Sequence, residues 1–218
     1  MNREIRSYVL RQGRTTPSQQ RALDELLPRF GIEFSNSVLK PKEIFERTAP
    51  VVLEIGSGMG ETTAEIARQN PAIDFIAIEV HGPGVGGLLK KIDELGLKNL
   101  RVIRHDAVEV LDKMIGDGSL AGLHLFFPDP WPKKRHHKRR LVQPPFAALA
   151  ARKLAPSGYF HSATDWPEYA EQMEAVFSGE PLMEKATQAK ARPVTKFERR
   201  GIGLGHPVRD LLFLRRQE

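Results

Sequence analysis

Four carboxylates stand at or just past the ends of short apolar runs. Glu54 lies within VVLEI (51–55), and Glu79 directly follows IDFIAI (73–78). Asp106 comes shortly after LRVI (100–103), and Asp129 two residues beyond LHLFF (123–127). Between Glu54 and Glu61 the chain reads I-G-S-G-M-G, with Gly56, Gly58 and Gly60. A glycine-rich turn that opens a helix offers free backbone N–H groups and lets a ligand approach closely. Its rim here is acidic. A dinucleotide-binding turn needs glycine at 61, where this chain has Glu61, and no Gly-Lys-Ser/Thr triplet occurs for a Walker loop. Phosphate is therefore a poor ligand for this turn, and a cationic ligand without phosphate is a good one.

S-adenosylmethionine meets that description, with its sulfonium, ammonium and adenosine. Glu79 is placed to accept from ribose hydroxyls, as an acid at the second strand end does in dinucleotide folds. Asp106 could accept from an adenine amino group. Each acid alone reads as a helix cap or loop residue. Three at successive strand ends, beside one glycine loop, point to a methyl-donor site.

The fourth strand end runs into P-D-P-W-P (128–132) and then KKRHHKRR (133–140). Proline fixes φ, so this turn is stiff and can hold the Asp129 carboxylate and the Trp131 ring in place. The triplet DPW resembles the Asp/Asn-Pro-Pro-aromatic turn of methyltransferases acting on base nitrogens. Trp131 reads equally well as a structural plug. Lys133, Lys134, Arg135, Lys138, Arg139 and Arg140 account for the whole net charge of +6, since the 27 other basic residues equal the 27 acidic ones. Charge gathered in one eight-residue stretch is a footprint for a polyanion. A solvated basic loop is the plainer reading. The adjoining acid turn favours a nucleic-acid grip.

The elements needed to position these groups follow from periodicity. Apolar strand-like runs at 51–55, 73–78, 100–103, 123–127 and 158–163 alternate with helical spacing at 61–69, 85–95, 107–115, 144–150 and 167–177. RALDELL (21–27) predicts a helix ending at Pro28, and VRDLLFL (208–214) a last strand. Such alternation implies a parallel sheet covered on both faces. The expected fold is α/β: a single doubly wound, Rossmann-like methyltransferase domain at 36–218, preceded by a basic arm and short helix at 1–35. Strand four would lie beside strand one, which brings Asp129 to the glycine loop, and the basic stretch would be a loop on the same face.

The chain of 218 residues has no cysteine and no apolar stretch long enough to span a bilayer. It opens on polar and basic residues without a signal-peptide pattern. A cytoplasmic location is expected, with neither membrane nor metal. A metal site at His136 and His137 lacks further ligands nearby.

The chain is similar to the bacterial-type tRNA (guanine-N7-)-methyltransferases. The similarity rests on EIGSGMG (54–60), EVHGPGVG (79–86), HDA (105–107), FPDPWPKKRHHKRRL (127–141), ATDW (163–166) and TKFE (195–198), with RQGR (11–14) and QQRAL (19–23) in the arm. It implies that Glu54, Gly56, Gly58, Gly60, Glu79, Asp106, Ala107 and Asp129 bind S-adenosylmethionine or shape its pocket, with Asp129 also catalytic. It implies that Lys133, Asp165, Thr195, Lys196, Phe197 and Glu198 contact the substrate guanosine. Arg135, His136, His137, Lys138, Arg139 and Arg140 would contact tRNA. A monomer or small homo-oligomer is expected. The rival readings are methylation of an exocyclic amine on another nucleic acid or on protein, and a non-catalytic RNA-binding protein.

Overall fold

The computed structural model describes residues 6–9, 13–188, 191–195, 198 and 207–217. Seven strands form one sheet in the order β3-β2-β1-β4-β5-β7-β6, with β1 Val51–Ile55, β2 Asp74–Ile78, β3 Leu100–Ile103, β4 Leu120–Phe126, β5 Leu154–Thr164, β6 Met183–Lys185 and β7 Arg209–Arg215. Strands β1 to β5 pair in parallel, and β7 pairs antiparallel with both β5 and β6. The order reverses between β1 and β4, the switch point where open α/β sheets bind ligands.

Helices cover both faces. They are α1 Pro17–Glu25, α2 Leu27–Phe30, α3 Pro41–Phe45, α4 Glu61–Gln69, α5 Gly82–Glu94, α6 Ala107–Met114, α7 Pro144–Lys153 and α8 Pro167–Ser178. One apolar layer packs Leu111, Met114, Phe146, Tyr169 and Phe177 of α6–α8 against Leu53, Leu123 and Phe160 of the sheet. The other packs Ala64, Val85, Leu88 and Ile92 of α4 and α5 against Val52, Phe75 and Val102. Alternation along β1 sends Val51, Leu53 and Ile55 to the first layer and Val52 to the second. Glu54 therefore faces α4, where Thr63 Oγ1 donates to its Oε1 at 2.8 Å.

The predicted elements are present with shifted ends, but the helix expected to stop at Pro28 ends at Glu25, and Pro28 sits in the first turn of α2. Helix α1 begins at Pro17, four residues before the predicted helix, and it closes a capping box in which Thr16 and Gln19 exchange hydrogen bonds. Helix α5 starts at Gly82 rather than at 85. Gly84 is forced by packing: a Cβ there would sit 2.8 Å from the Gly58 carbonyl oxygen and 3.0 Å from Glu79 Cγ. Strands β4 and β5 extend back to Leu120 and Leu154, while α3 and the three-residue β6 carried no periodic signal. The stretch predicted as a basic loop is a 3-10 turn over Lys134–Arg139.

Candidate active site

Strand β1 feeds the glycine loop, whose Gly56, Gly58 and Gly60 take φ of 75, 55 and 76°. These left-handed values suit glycine. Gly60 has a second constraint, because a Cβ would approach Leu88 to 2.4 Å. The loop is tied to β2 by its carboxylate. Glu79 Oε2 accepts from Gly58 N at 2.8 Å, and Oε1 accepts from Val80 N at 2.8 Å and His81 N at 2.9 Å. Asp106 caps α6, its Oδ1 accepting from Val108 N at 2.8 Å and Glu109 N at 3.3 Å. Three acids from three successive strand ends are thus held by backbone donors or, for Glu54, by a buried hydroxyl.

Glu79 and Asp106 border a cavity of about 280 Å³ that is also lined by Gly56, Gly58, Ala107 and Asp129, among others. Its lining among the described residues includes the carboxylates of Glu79, Asp106 and Asp129 and the imidazoles of His81 and His105, and no lysine or arginine. Gly60 is not in the lining. Glu54 lies beneath it, 4% exposed, with Oε2 buried and without a hydrogen-bond partner. Ser57 Oγ in the loop is in the same state. Unsatisfied buried acceptors cost roughly 1–3 kcal/mol each. This set of carboxylate acceptors suits a cationic, hydroxyl-rich ligand and disfavours phosphate.

Sequence reasoning missed part of this wall. Ser7 and Tyr8 of the arm line the cavity. Partial burial, with Asp106 next in weight, pushes the Tyr8 phenol above its ordinary pKa. No local signal marks these residues, because the contact exists only in the folded chain. Of the RQGR stretch, Arg11 and Gln12 lie outside the described residues.

Asp129 also borders a second cavity, of about 460 Å³, with Trp131, Lys133 and His136. The turn between is strained. Phe127 and Trp131 take φ of 50 and 46°, which bulky residues rarely adopt. Each such residue costs about 1–3 kcal/mol and persists only where its surroundings over-determine it. Here Phe127 N donates to Ala163 O at 2.8 Å. Trp131 Nε1 donates to Ser7 O at 3.0 Å, its ring meets His136 edge-on at 5.8 Å, and the Arg139 guanidinium lies 4.9 Å from its centroid.

Lys133, Lys134, Arg135 and Lys138 are exposed, and His136 and Arg139 half-buried. Partial burial and the cations Arg135, Arg139, Lys133 and Lys138 hold His136 below its ordinary pKa. Arg139 and Lys138 face a groove of about 710 Å³ that also touches Asp106. One predicted RNA contact, Arg140, needs correction. The Arg140 side chain is 1% exposed. Its Nε donates to Pro130 O at 2.8 Å, its Nη1 to Gln172 Oε1 at 2.7 Å, and its guanidinium lies 5.0 Å from the Tyr169 ring. It clamps the Asp129 turn from inside. His137 turns the same way, with Nε2 3.1 Å from Arg140 Nη2 and 3.4 Å from Glu168 Oε1. Arg140 thus makes interior contacts rather than phosphate contacts, while His137 stays half-buried beside the exposed Glu168.

Asp165 follows the last residue of β5, at the same end of the sheet as Asp129. Thr195 is buried, and it exchanges hydrogen bonds with Glu198: Glu198 N donates to Thr195 Oγ1 at 3.0 Å and Thr195 N to Glu198 Oε2 at 3.2 Å. Lys196 and Phe197 lie outside the described residues. Among the described residues no helix is long and apolar enough to cross a membrane, and no group of three or more His, Asp or Glu could hold a metal.

A sheet of this order, with an acid-lined glycine loop at its switch point, defines a Rossmann-like class I methyltransferase. The solved structure of the 16S rRNA methyltransferase KamB is similar in fold, with a TM-score of 0.60 over 81% of this chain and 92% of that one at 17% identity. A family model described as "Putative methyltransferase" matches residues 48–211. The tRNA (guanine-N(7)-)-methyltransferase of Chromobacterium violaceum is 56% identical across 98% of this chain and 97% of its own length. That of Methylobacillus flagellatus is 57% identical across 98% of this chain and 92% of its own. The chain belongs to the tRNA (guanine-N7-)-methyltransferase family.

Proposed function

We propose that this protein transfers the methyl group of S-adenosylmethionine to N7 of a guanosine in tRNA, which the sequence resemblance puts in the variable loop. One observation carries the reading: a cavity lined among the described residues by three carboxylates and no lysine or arginine shares Asp129 with a turn that bears exposed Lys133, Lys134, Arg135 and Lys138. A cationic donor and an anionic polymer each find complementary charge, about one side chain apart. A tRNA substrate suits a cytoplasmic site of action.

S-adenosylmethionine supplies an electrophilic methyl group on a sulfonium. Guanine N7 carries an in-plane lone pair and no proton at neutral pH, so no general base is required. The work left to the protein is positioning and charge stabilisation. Glu79 retains lone-pair capacity beyond its three backbone donors for ribose hydroxyls. Asp106 and Ala107 border the adenine end, and Glu54 and Ser57 offer buried acceptors from below. Asp129, held in a stiff turn, faces the positive charge that develops on the purine. Lys133, Asp165 and the Thr195–Glu198 segment hold the guanosine. A base within folded tRNA must be turned out or already exposed to reach the donor.

The test is methyl transfer from labelled S-adenosylmethionine to tRNA transcripts, with the modified nucleoside identified by mass spectrometry. N7-methylguanosine is the expected product. An N-methyl group on an exocyclic amine, or no transfer despite donor binding, would overturn the reading.

A further inference from the structure

We propose that Arg192 is a positioning residue for methyl transfer, locking Thr195 and Glu198 of the guanosine-binding segment to the sheet beside the cofactor cavity. The inference rests on the reading that this segment holds the guanosine.

Arg192 lies between β6 and β7, and its side chain is only 6% exposed. Its guanidinium makes two sets of contacts. Nε donates to Asp210 Oδ1 at 2.7 Å and Nη2 to Asp210 Oδ2 at 3.0 Å, a bidentate pair with β7. Nη1 donates to Glu198 Oε2 at 2.6 Å. Glu198 is in turn closed onto Thr195 by their reciprocal hydrogen bonds. On the sheet side, His161 Nε2 of β5 lies 2.9 Å from Asp210 Oδ1. One cation therefore joins β5 and β7 to the two described ends of the segment.

The same guanidinium sits 5.3 Å from the centroid of Phe126 and 5.5 Å from that of Phe127. Both residues line the cofactor cavity, and Phe127 begins the strained turn that carries Asp129. The substrate segment is thus anchored behind these two residues, while Arg192 itself stays outside the cavity lining. Lysine could not reproduce this, since it lacks the rigid fork needed for a bidentate carboxylate and a second acceptor at once. Burial alone would lower the Arg192 pKa, but Asp210 and Glu198 outweigh it and hold it above the ordinary value. The lock is charged at any working pH.

The experiment compares Arg192→Lys and Arg192→Met in the full chain. Steady-state methylation of a tRNA transcript is measured with donor affinity by calorimetry and melting temperature. Displacing a substrate-holding segment by about 1 Å costs on the order of 100-fold in rate. For Arg192→Met a loss of about that size in kcat/KM for tRNA is expected, and for Arg192→Lys a loss of about 10-fold. Donor affinity should stay within about twofold, since Arg192 does not line the cavity itself. Should Arg192→Met fail to fold, Arg192→Lys, which keeps the charge, carries the test. Wild-type kcat/KM in the folded variants would overturn the proposal. So would a loss of donor affinity in step with the tRNA parameters, which would make Arg192 a support of the whole rim. Thr195→Val and Glu198→Gln test the underlying reading separately. If they leave kcat/KM unchanged, the segment does not hold the guanosine. If they impair it while the Arg192 variants do not, only the role of Arg192 fails.

Discussion

The acidic rim and the basic turn meet at Asp129, yet they are built on opposite plans. In the rim, Glu79 takes three backbone N–H groups and Asp106 takes two, so each carboxylate is fixed by main chain within its own turn or by the glycine loop. In the turn, Lys133, Lys134, Arg135 and Lys138 extend into solvent on long side chains. A small ligand of fixed shape is served by a preorganised site, because little entropy is lost on binding. A polymer backbone is served by mobile cations that neutralise phosphates without fixing a geometry. Arg140 departs from its neighbours: chemically alike, it is turned inward and holds the acid.

Asp129→Ala gives the largest expected effect. Loss of a preorganised charge aimed at the reacting base should lower kcat by about 10²–10³-fold. Affinity for tRNA should change by less than about threefold, because phosphate contacts dominate it. Single-turnover methylation and filter binding measure the two. Parallel losses in both would mean that Asp129 shapes the turn rather than the chemistry, and the division between rim and turn would fail there.

Arg140→Met comes next. It removes the donors to Pro130 O and Gln172 and the contact with Tyr169, at about 2–3 kcal/mol. For a chain of this length that corresponds to a melting point lower by about 4–12 °C. Lys138→Ala, on an exposed position of the same turn, should leave the melting point unchanged. If Arg140→Met instead kept its melting point and only weakened tRNA binding in a salt-dependent way, Arg140 would belong with the phosphate grip.

The contrast also explains what was legible in the sequence. The rim was readable because its signals are local: apolar strands end in acids, and glycines fall where φ is positive. The start of α1 was missed, because the apolar pattern places it at Arg21 while the helix begins at Pro17 with Thr16 and Gln19 as its capping box. The inward turn of Arg140 was not readable either, because its partners Glu168 and Gln172 lie 28 and 32 residues downstream and nothing within KKRHHKRR separates it from its neighbours. The same holds for Ser7, whose carbonyl receives the Trp131 indole from 124 residues away. The early start of β4 was hidden by Ala121 and Gly122, both poor strand formers. Contacts that exist only after folding leave no spacing to read.

The exposed cations give a smaller but graded effect. If four of them neutralise phosphates, log Kobs for tRNA should fall with log salt at a slope of about −3 to −4. Replacing Lys134, Arg135 and Lys138 together by alanine should flatten it by about 2–3 and leave donor affinity alone. A wild-type slope near −1, by the same relation, would remove this turn as the tRNA grip.

His136 should give the smallest effect, and it sharpens the boundary within the turn. Its ring sits among Arg135, Arg139, Lys133 and Lys138, and it is held below its ordinary pKa by partial burial and by those charges. In the free protein the protonated ring is therefore disfavoured at pH 7 to 8, and its share of the salt slope there should be small. His136→Ala should match wild type in that window within about twofold. Bound phosphates favour the protonated ring, so its pKa in the complex lies above that in the free protein. By linkage, tRNA binding then takes up a proton, and wild-type affinity should rise as pH falls through the window between the bound and free pKa of the ring while the variant stays flatter. A variant whose slope is already shallower by about 0.9 at pH 7.5 would show His136 charged there, and the cations around it would then be too well screened to set its state.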